Sequence, residues 1–516
     1  MKEKIKLDPI KESFAQKKAA SGFDSVAKWF AQKFPKLPDE FGDAVLEEPD
    51  KEGKQIVHDI SQPFIAATLG ESAVPGAPTI YLPSENRFYT YSPEEGIYSQ
   101  TREPELLRRL SQLLLEASRA CNDAVTKKLQ FGFRDSAHLV GIVKHAQGVL
   151  AKPQDHFDGE LTEFIPCRNG MLRLSDNKLL CFSPGYRRRN KLAVDYDPKA
   201  NCPMFLDTLM NPALDPDDLD LVQRWCGFAL IGKNLAQKII ILTGTPGGGK
   251  GAFIRVLNGI IGQINLATLR PQLLGERFEV GRFLGKALLY GADVPENFLN
   301  QRGASIIKSL TGGDPMTMEL KNSNESPSVI CQFNIIVTCN SRLTVRLEGD
   351  TEAWRRRLAI VPYTHPKPEQ EITDLADQIL RREASGVLNW MLIGLRNDRA
   401  DGWQLHLTSA QQAIVDNLLL ESDGMTLFVG EALEKDEDSL LTAHDCFSAY
   451  VEFCNQRGWR ALTRKRFGNE IGDAVTRQYG LTVRHDLKPG GGKSQRGWVG
   501  LCTRNSQEDP DGSDGW

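Results

Sequence analysis

The chain has 516 residues, of which 41% are hydrophobic and 25% are charged, as in an ordinary globular protein. That length exceeds what one hydrophobic core serves, so we expect two to four domains. The 63 basic residues are balanced by 67 acidic ones, which excludes a protein that binds polyanions through its overall charge.

The first predicted unit, residues 1–74, is an amphipathic helix followed by an acidic linker. Large apolar side chains recur at helical spacing from Val26 to Phe34. The stretch Pro38–Glu52 then carries seven acids and one lysine, which is typical of a solvated linker.

Residues 75–225 are predicted to form an α+β domain. Aromatic and polar residues alternate between turn formers in Thr79–Gln100, which indicates a small antiparallel sheet. Helices are predicted at 103–130 and 135–150, and hairpins are predicted after Phe164.

Residues 226–400 are predicted to form the core of the protein. The strand-like segments KIIIL, KALLYGA and FNIIVTCN alternate with helical segments over residues 238–363. This pattern predicts a doubly wound α/β domain. A helical connector (401–424), a small domain (425–504) and a disordered acidic tail (505–516) complete the prediction.

No apolar run approaches the roughly 20 residues that span a bilayer, and the N-terminus lacks the apolar block of a signal peptide. We therefore predict a cytoplasmic protein without a membrane partner. The ten cysteines form no CxxC pair, which favours reduced thiols over a zinc site or a disulfide framework.

The stretch GTPGGGKG follows a strand, opens a helix, and fits the pattern G-x-x-x-x-G-K of phosphate-binding loops (P-loops). Glycines let backbone N–H groups turn toward phosphates without a Cβ clash, and Lys250 neutralises phosphate charge. A glycine-rich turn that binds nothing is the alternative, but it does not explain the position between strand and helix. The predicted nucleotide-binding residues are Gly244, Thr245, Pro246, Gly247, Gly248, Gly249, Lys250 and Gly251.

Position 251 departs from the motif, which has Ser or Thr there to bind Mg²⁺. A metal ion would then rest on water, the phosphates and an acid elsewhere. Asp293 follows the strand-like KALLYGA, and Glu296 lies three residues further on. We predict that Asp293 binds Mg²⁺ and that Glu296 polarises the attacking water, while the alternative is an acidic turn after a strand.

Two more sets of polar residues lie next to predicted buried strands. Asn340 ends FNIIVTCN, where its amide would orient water and sense the γ-phosphate, although asparagine at a strand end is common in turns. Arg355, Arg356 and Arg357 precede the next strand, and one of them would stabilise transition-state charge from a neighbouring subunit. Three consecutive arginines cannot all face one site, so at least one is structural or solvated.

With these motifs in this order, residues 75–500 resemble the superfamily 3 helicases of the phage and plasmid primase-helicase family, which is related to the poxvirus primase-helicase. The resemblance implies an AAA+-like core in a ring, usually hexameric, that hydrolyses ATP with Mg²⁺ at subunit interfaces. It also implies movement along single-stranded or forked DNA, typically 3′ to 5′, and a separate primase or initiator as a partner.

The resemblance assigns roles by position. Gly244 to Lys250 would bind ATP, Asp293 the metal and Asn340 the γ-phosphate, and Arg356 or Arg357 would be the arginine finger. The DNA-tracking lysine of the family would correspond to Lys321, in MTMELKNSNESPSVICQ. Independently of the family, MTMEL and PSVICQ flank a polar turn, which predicts a hairpin with Lys321 near its tip, or else a solvated surface lysine.

Residues 425–504 fit a small winged-helix-like domain, with two helices followed by two strands around a glycine-rich tip. Basic residues on its second helix and tip are candidates for contact with DNA phosphates, although such residues are more often solvated. They are Arg464, Lys465, Arg466, Lys488, Lys493 and Arg496.

The residues before about 75 leave little room for a primase domain, and the acids of VDYD, Asp195 and Asp197, are interpreted as structural. We therefore predict an ATP-dependent DNA helicase for replication of a phage, plasmid or other mobile element. The alternative is a nucleotide-dependent DNA-binding initiator or scaffold with vestigial hydrolysis, which Gly251 would permit. A metabolite kinase is a third hypothesis, but it should lack the arginine run and the lysine hairpin.

Overall fold

A computed structural model describes residues 23, 25–53, 55–71, 77–121, 127–159, 162–300, 303–319, 326, 328–341, 343, 351–364, 372–422, 424–457, 461–488 and 494–504. No helix in these ranges is both long and apolar enough to cross a bilayer.

The α-helices of the described ranges are α1 Val26–Lys33, α2 Leu37–Phe41, α3 Gln62–Glu71, α4 Glu103–Ala120, α5 Ser136–Val149, α6 Pro216–Ile231, α7 Lys250–Ile261, α8 Ala304–Gly312, α9 Thr351–Arg355, α10 Leu375–Ala400, α11 Ser409–Ser422, α12 Gly424–Ala432, α13 Ala443–Gln456 and α14 Arg464–Tyr479. Two π-helical segments cover Lys128–Gly132 and Met204–Met210. Short 3-10 turns cover Pro83–Glu85, Pro184–Tyr186, Gln263–Asn265, Pro271–Leu273, Val280–Phe283 and Phe298–Asn300.

The strands are β1 Val45–Pro49, β2 Gln55–Ile60, β3 Thr79–Leu82, β4 Arg87–Ser92, β5 Ile97–Thr101, β6 Phe164–Cys167, β7 Gly170–Arg173, β8 Lys178–Leu180, β9 Ile239–Gly244, β10 Leu266–Thr268, β11 Leu288–Gly291, β12 Pro315–Thr317, β13 Ser328–Ile330, β14 Asn334–Cys339, β15 Leu358–Tyr363, β16 Leu433–Thr442, β17 Arg484–Leu487 and β18 Gln495–Thr503.

Five strands form a parallel sheet in the order β10-β11-β14-β9-β15. Side chains alternate between the two faces of a strand, and β9 is apolar on both faces. Ile240 and Leu242 pack with the core that contains α6, α7 and α10, whereas Ile239 and Ile241 pack with the core that contains α8 and α11. Helices therefore cover both faces, and the predicted α/β core is confirmed.

The N-terminal part differs from its prediction. One hydrophobic core runs from Val26 to Leu150, so the predicted boundary near residue 75 falls inside it. The acidic stretch Pro38–Glu52 is not a linker, because it contains part of α2 and all of β1, and Val45 is buried. Five of its seven acids are exposed, but Glu47 and Asp50 are half-buried, and Glu47 accepts a hydrogen bond from the N–H of Val26 at the start of α1, which the charge count alone did not indicate. The sheet β3-β4-β5 is antiparallel, as predicted for Thr79–Gln100.

The predicted boundary between residues 225 and 226 also falls inside a packed element, since α6 spans it. Buried residues of β6, β7 and the π-helical segment Met204–Met210 share one core with β9 and α10. The predicted connector 401–424 contains α11, whose Val415 and Leu418 are buried against the other face of the sheet. The segments on either side of the central sheet are thus part of its packing.

Residues 424–504 form a separate small core in the order helix, strand, helix, helix, strand, strand. Their antiparallel sheet has the order β16-β18-β17. Thr442 begins α13 by accepting a hydrogen bond from the N–H of Asp445, a standard N-terminal cap. The fully buried Trp498 of β18 lies in the centre of this core.

Candidate functional site

The glycine-rich loop, Gly244–Gly249, joins the end of β9 to the start of α7. Gly244 has a φ of 135°, and a Cβ there would lie 2.3 Å from the carbonyl oxygen of Tyr363. Gly249 has a φ of 92° as the N-terminal cap of α7. Side chains at these two positions would be strained or clash, so the close loop next to β15 depends on glycine.

Lys250 begins α7 and folds back over this loop. Its Nζ donates hydrogen bonds to the carbonyl oxygens of Gly244 (2.7 Å) and Thr245 (2.9 Å), and the residue is only 4% exposed. Burial lowers the pKa of Lys250, and the carboxylate of Asp293 opposes this shift. The lysine cation therefore sits within the loop and within electrostatic reach of Asp293.

Asp293 lies just beyond β11 and has the left-handed backbone conformation, with a φ of 49°. Its N–H donates to Oγ1 of Thr338 (2.9 Å), and the next N–H, from Val294, donates to the carbonyl oxygen of Thr338 (2.9 Å). Non-glycine residues seldom adopt this conformation. The two hydrogen bonds to Thr338 of β14 hold the backbone of Asp293 in it.

Asn340 follows β14, and its Nδ2 donates to Oδ1 of Asp293 at 2.8 Å. Glu296 is exposed, three residues after Asp293. Burial raises the pKa of the Cys339 thiol, Glu296 and Asp293 raise it further, and Lys250 lowers it. Lys250, Asp293, Glu296 and Asn340 thus lie around the same carboxyl edge of the sheet, because parallel strands present their ends together.

The three arginines have different environments. Arg355 forms a bidentate pair with Asp416 of α11, at 2.7 and 2.8 Å. Arg357 is 4% exposed, and its Nη1 donates to the carbonyl oxygen of Ala353. Arg356 is exposed. Of the two arginines predicted as catalytic, the structure therefore leaves Arg356 at the surface and places Arg357 in the interior of the protein.

Gly251 lies in the first turn of α7 and is exposed, and a Cβ added there would meet no atom within 4 Å. Nothing in the packing of this state requires glycine at this position. The first turn of α7 carries no acidic side chain, so its N–H groups and dipole are available to an anion.

The predicted hairpin forms at its base. β12 and β13 are antiparallel, with Pro315 opposite Ile330 and Thr317 opposite Ser328. Gln154 also contacts this base, donating to the carbonyl oxygen of Ser328 at 3.0 Å. Lys321 lies outside the described residues, so its role as the DNA-tracking lysine stays a prediction.

The six basic candidates of the C-terminal unit have different environments. Arg466 pairs with Glu470, and Arg496 donates to the carbonyl oxygen of Gly468. Arg464, Lys465 and Lys488 are exposed, whereas Lys493 lies outside the described residues. Arg464 also contacts Nδ1 of His444, at 3.4 Å, so three of the six candidates have partners within the unit itself.

Sequence reasoning missed Thr338 and Tyr363. Thr338 is 3% exposed and Tyr363 packs against Gly244 and Gly248. Residues two apart along a strand lie on the same face, so Thr338 lies on the face of Asn340. This periodicity could have identified Thr338 from the sequence. The approach of Tyr363 to the loop depends on the pairing of β15 with β9, which the sequence does not state.

The site suits a magnesium nucleotide by the chemistry of its groups. Oxygen ligands from one or two carboxylates, water and phosphates are the usual set for Mg²⁺. Asp293 supplies a carboxylate beside a loop whose amides and lysine suit phosphates. Among the described residues, no group of three or more His, Cys, Asp or Glu side chains is placed to hold a metal ion alone. Any metal here would therefore share its ligands with a bound anion.

Comparison with known proteins gives two partial matches. Residues 242–357, from within β9 to Arg357, match a family described only as one of unknown function. Three solved structures described as apo forms of the NrS-1 C terminal region align over 82% of this chain and 96% of theirs, with 13–14% identity and TM-scores of 0.46–0.48. No curated protein matches the chain significantly.

The second family match covers residues 86–211, the segment that runs from just before β4 through the π-helical segment Met204–Met210. Its family is described as D5 N terminal like. Proteins of the phage and viral primase-helicase type carry this domain as their N-terminal region. Ahead of its parallel sheet, the chain therefore has a segment that is similar to a domain of phage-type replication primase-helicases.

Proposed function

We propose that residues 226–400 are a P-loop ATPase that uses ATP and Mg²⁺. The observation that carries this proposal is the meeting of Lys250, Asp293 and Asn340 at one edge of a parallel sheet. The loop strand β9 lies between β14 and β15 rather than at an edge, so its loop is flanked by the strand ends that carry Asn340 and Tyr363. This arrangement supports an AAA+-like core.

The roles of the side chains follow from these contacts. Lys250 is held by two carbonyl oxygens of its own loop, and it exchanges these weak neutral acceptors for phosphate oxygens when an anion enters. Asp293 would hold the metal ion, whose positive charge stabilises the charge on the transferring phosphoryl group. Asn340, which donates a hydrogen bond to Asp293, would orient the attacking water, and Glu296 is the candidate to polarise it.

We propose further that this ATPase is a superfamily 3 DNA helicase acting in replication of a phage, plasmid or other mobile element. The match of residues 86–211 to a domain of primase-helicases supports this. The hairpin base β12-β13 and the exposed Arg356 are consistent with a hexameric homo-oligomeric ring that encloses single-stranded or forked DNA and moves 3′ to 5′. We propose a primase or an initiator as its partner.

The C-terminal unit is proposed to be a winged helix that contacts DNA. Its element order and its sheet order β16-β18-β17 are those of such domains. The basic helix α14 would then lie toward DNA, with the exposed Arg464 and Lys465 on phosphates. The segment between β17 and β18 would be the wing.

A nucleotide-dependent initiator or scaffold is the second candidate. Gly251 favours it, because the metal loses the hydroxyl ligand that the motif usually supplies. Weak hydrolysis would still allow nucleotide to assemble a ring. A scaffold and a helicase differ in whether DNA stimulates hydrolysis.

The test is phosphate release from ATP with and without single-stranded DNA, for the wild type and Lys250→Ala. We expect DNA-stimulated release in the wild type and a loss of at least about 100-fold in the variant, the usual cost of removing one electrostatic donor. Lys233→Ala, at a partly exposed lysine paired with Asp158, is the matched control and should keep activity. Release that DNA does not stimulate would favour the scaffold, and wild-type turnover by Lys250→Ala would contradict the proposal.

A further inference from the structure

We propose that Thr338 is a positioning residue that holds the backbone of Asp293 so that the Asp293 carboxylate faces the metal. This inference rests on the proposed ATPase function and names a residue of that same site. Thr338 belongs to β14, the strand that also leads to Asn340.

The geometry begins where the sheet ladder ends. The last paired residues of β11 and β14 are Gly291 and Val337. Beyond that pair, Thr338 continues the connection with two different groups. Its carbonyl oxygen accepts the N–H of Val294 and its side-chain Oγ1 accepts the N–H of Asp293, both at 2.9 Å. The side chain of Thr338 thus accepts the N–H of Asp293 beyond the point where the backbone pairing of β11 with β14 ends.

The contact stabilises an unfavourable conformation. Asp293 has a φ of 49°, in the left-handed region, where the Cβ of a non-glycine residue is crowded by the backbone. Glycine would adopt this conformation without that crowding but would carry no carboxylate. An aspartate that must remain here therefore needs support from neighbouring groups.

A second residue of the same segment, Asn340, contacts the carboxylate of Asp293 directly. Residues 338 and 340 lie on one face of an extended segment, and Nδ2 of Asn340 donates to Oδ1 of Asp293. Thr338 thus sets the backbone while Asn340 contacts the side chain. Residues that orient metal ligands without touching the metal typically change metal affinity by about 10- to 100-fold when they are altered.

Thr338→Val is the main test variant, because valine keeps the shape of threonine in this 3% exposed position but cannot accept the hydrogen bond. Thr338→Ser keeps the acceptor. The control is Thr311→Val, since Thr311 is fully buried and, among the residues that the structure describes, its hydroxyl bonds only to the carbonyl oxygens of Ile307 and Lys308 in its own helix. The control reports general effects of removing a buried hydroxyl.

The measurement is equilibrium binding of a fluorescent ATP analogue as Mg²⁺ is titrated, so that no turnover is needed. We expect Thr338→Val to raise the half-saturating Mg²⁺ concentration about 10-fold or more while nucleotide binding without Mg²⁺ is unchanged, because Lys250 and its loop are intact. Thr338→Ser and Thr311→Val should behave as the wild type. Thr338→Ala provides the same comparison if valine perturbs folding.

An unchanged Mg²⁺ dependence in Thr338→Val, or an equal shift in Thr311→Val, would overturn the inference. Failure of Thr338→Ser to restore the wild-type value would overturn it as well, since the hydroxyl would not be the group that matters. A wild type that binds no nucleotide would contradict the proposed ATPase function itself. The two failures are therefore distinguished by the wild-type curve.

Discussion

Lys250 and Gly251 are neighbours in the sequence and bear on different steps: Lys250 on phosphate binding and Gly251 on binding of the metal ion. Lys250 already makes two hydrogen bonds to its own loop, so phosphate binding must replace these with stronger contacts to anionic oxygens. Gly251 leaves open space at the start of α7. A serine hydroxyl would fit there without a clash.

Gly251→Ser is therefore expected to keep or raise hydrolysis and to lower the Mg²⁺ concentration that it needs. Serine is also a better helix former than glycine by about 0.5 kcal/mol, so a matched variant is required to separate the two effects. Gly251→Ala stabilises the helix without adding a hydroxyl and should leave the Mg²⁺ requirement unchanged. The measurement is the rate of phosphate release against Mg²⁺ concentration. A large loss in Gly251→Ser would show that bound nucleotide needs the space.

Among the elements, α6 and α10 are joined by a buried contact between an arginine and an aspartate beside the central sheet. Arg224 donates from Nε to Oδ1 of Asp398 at 2.9 Å and from Nη2 to Asp401 at 2.7 Å. Asp398 is fully buried, and its Oδ2 has no hydrogen-bond partner among the described residues. Burial raises the pKa of Asp398 from 3.8 to about 7, against the opposing effect of Arg224.

This shift predicts a pH dependence of stability. Between about pH 4 and pH 7 the folded protein holds a proton on Asp398 that the unfolded chain has lost, so stability falls as pH rises. Asp398→Asn removes this titration. From about pH 5 to about pH 7.5, its free energy of unfolding should therefore rise by about 2 kcal/mol relative to that of the wild type. Differential scanning calorimetry at both pH values measures it. Asp401→Asn, at the half-exposed partner of the same arginine, should show little change; equal pH dependence in wild type and Asp398→Asn would refute the prediction.

At the scale of the whole molecule, the arginine run bears on assembly. The pair Arg355–Asp416 ties α9 to α11, and the burial of Arg357 ties it to its own subunit. The exposed Arg356 is therefore the candidate to reach a neighbouring subunit. A head-to-tail interface whose rotation closes gives a ring, and each interface then joins one loop to one finger.

Mixing Lys250→Ala chains with Arg356→Ala chains should recover part of the ATPase activity that each lacks alone, because a mixed interface can pair an intact loop with an intact finger. Phosphate release at several mixing ratios measures this recovery. Lys250→Ala mixed with a Lys250→Ala, Arg356→Ala double variant is the control and should recover nothing. No recovery in the first mixture would mean that Arg356 acts within its own subunit or not at all.

Local sequence patterns were sufficient to predict the elements near the site. The alternation of apolar strands and helices over residues 238–363 predicted the α/β core, and glycine spacing predicted a sharp loop between β9 and α7. Such signals are local because backbone sterics and side-chain periodicity act within a few residues. They failed for Pro38–Glu52, where a high charge count hid a buried strand residue, Val45.

The sequence by itself determined that Asp293 and Asn340 follow apolar strands and that Lys250 follows the glycine-rich loop after a third apolar strand. Only the tertiary structure decided which of them meet. Asp293 and Asn340 are 47 positions apart in the sequence, and a hydrogen bond joins them because β11 and β14 are neighbours in the sheet. The burial of Arg357, the exposure of Arg356 and the support of Asp293 by Thr338 likewise depend on strand order and packing, which arise from contacts between segments distant in sequence.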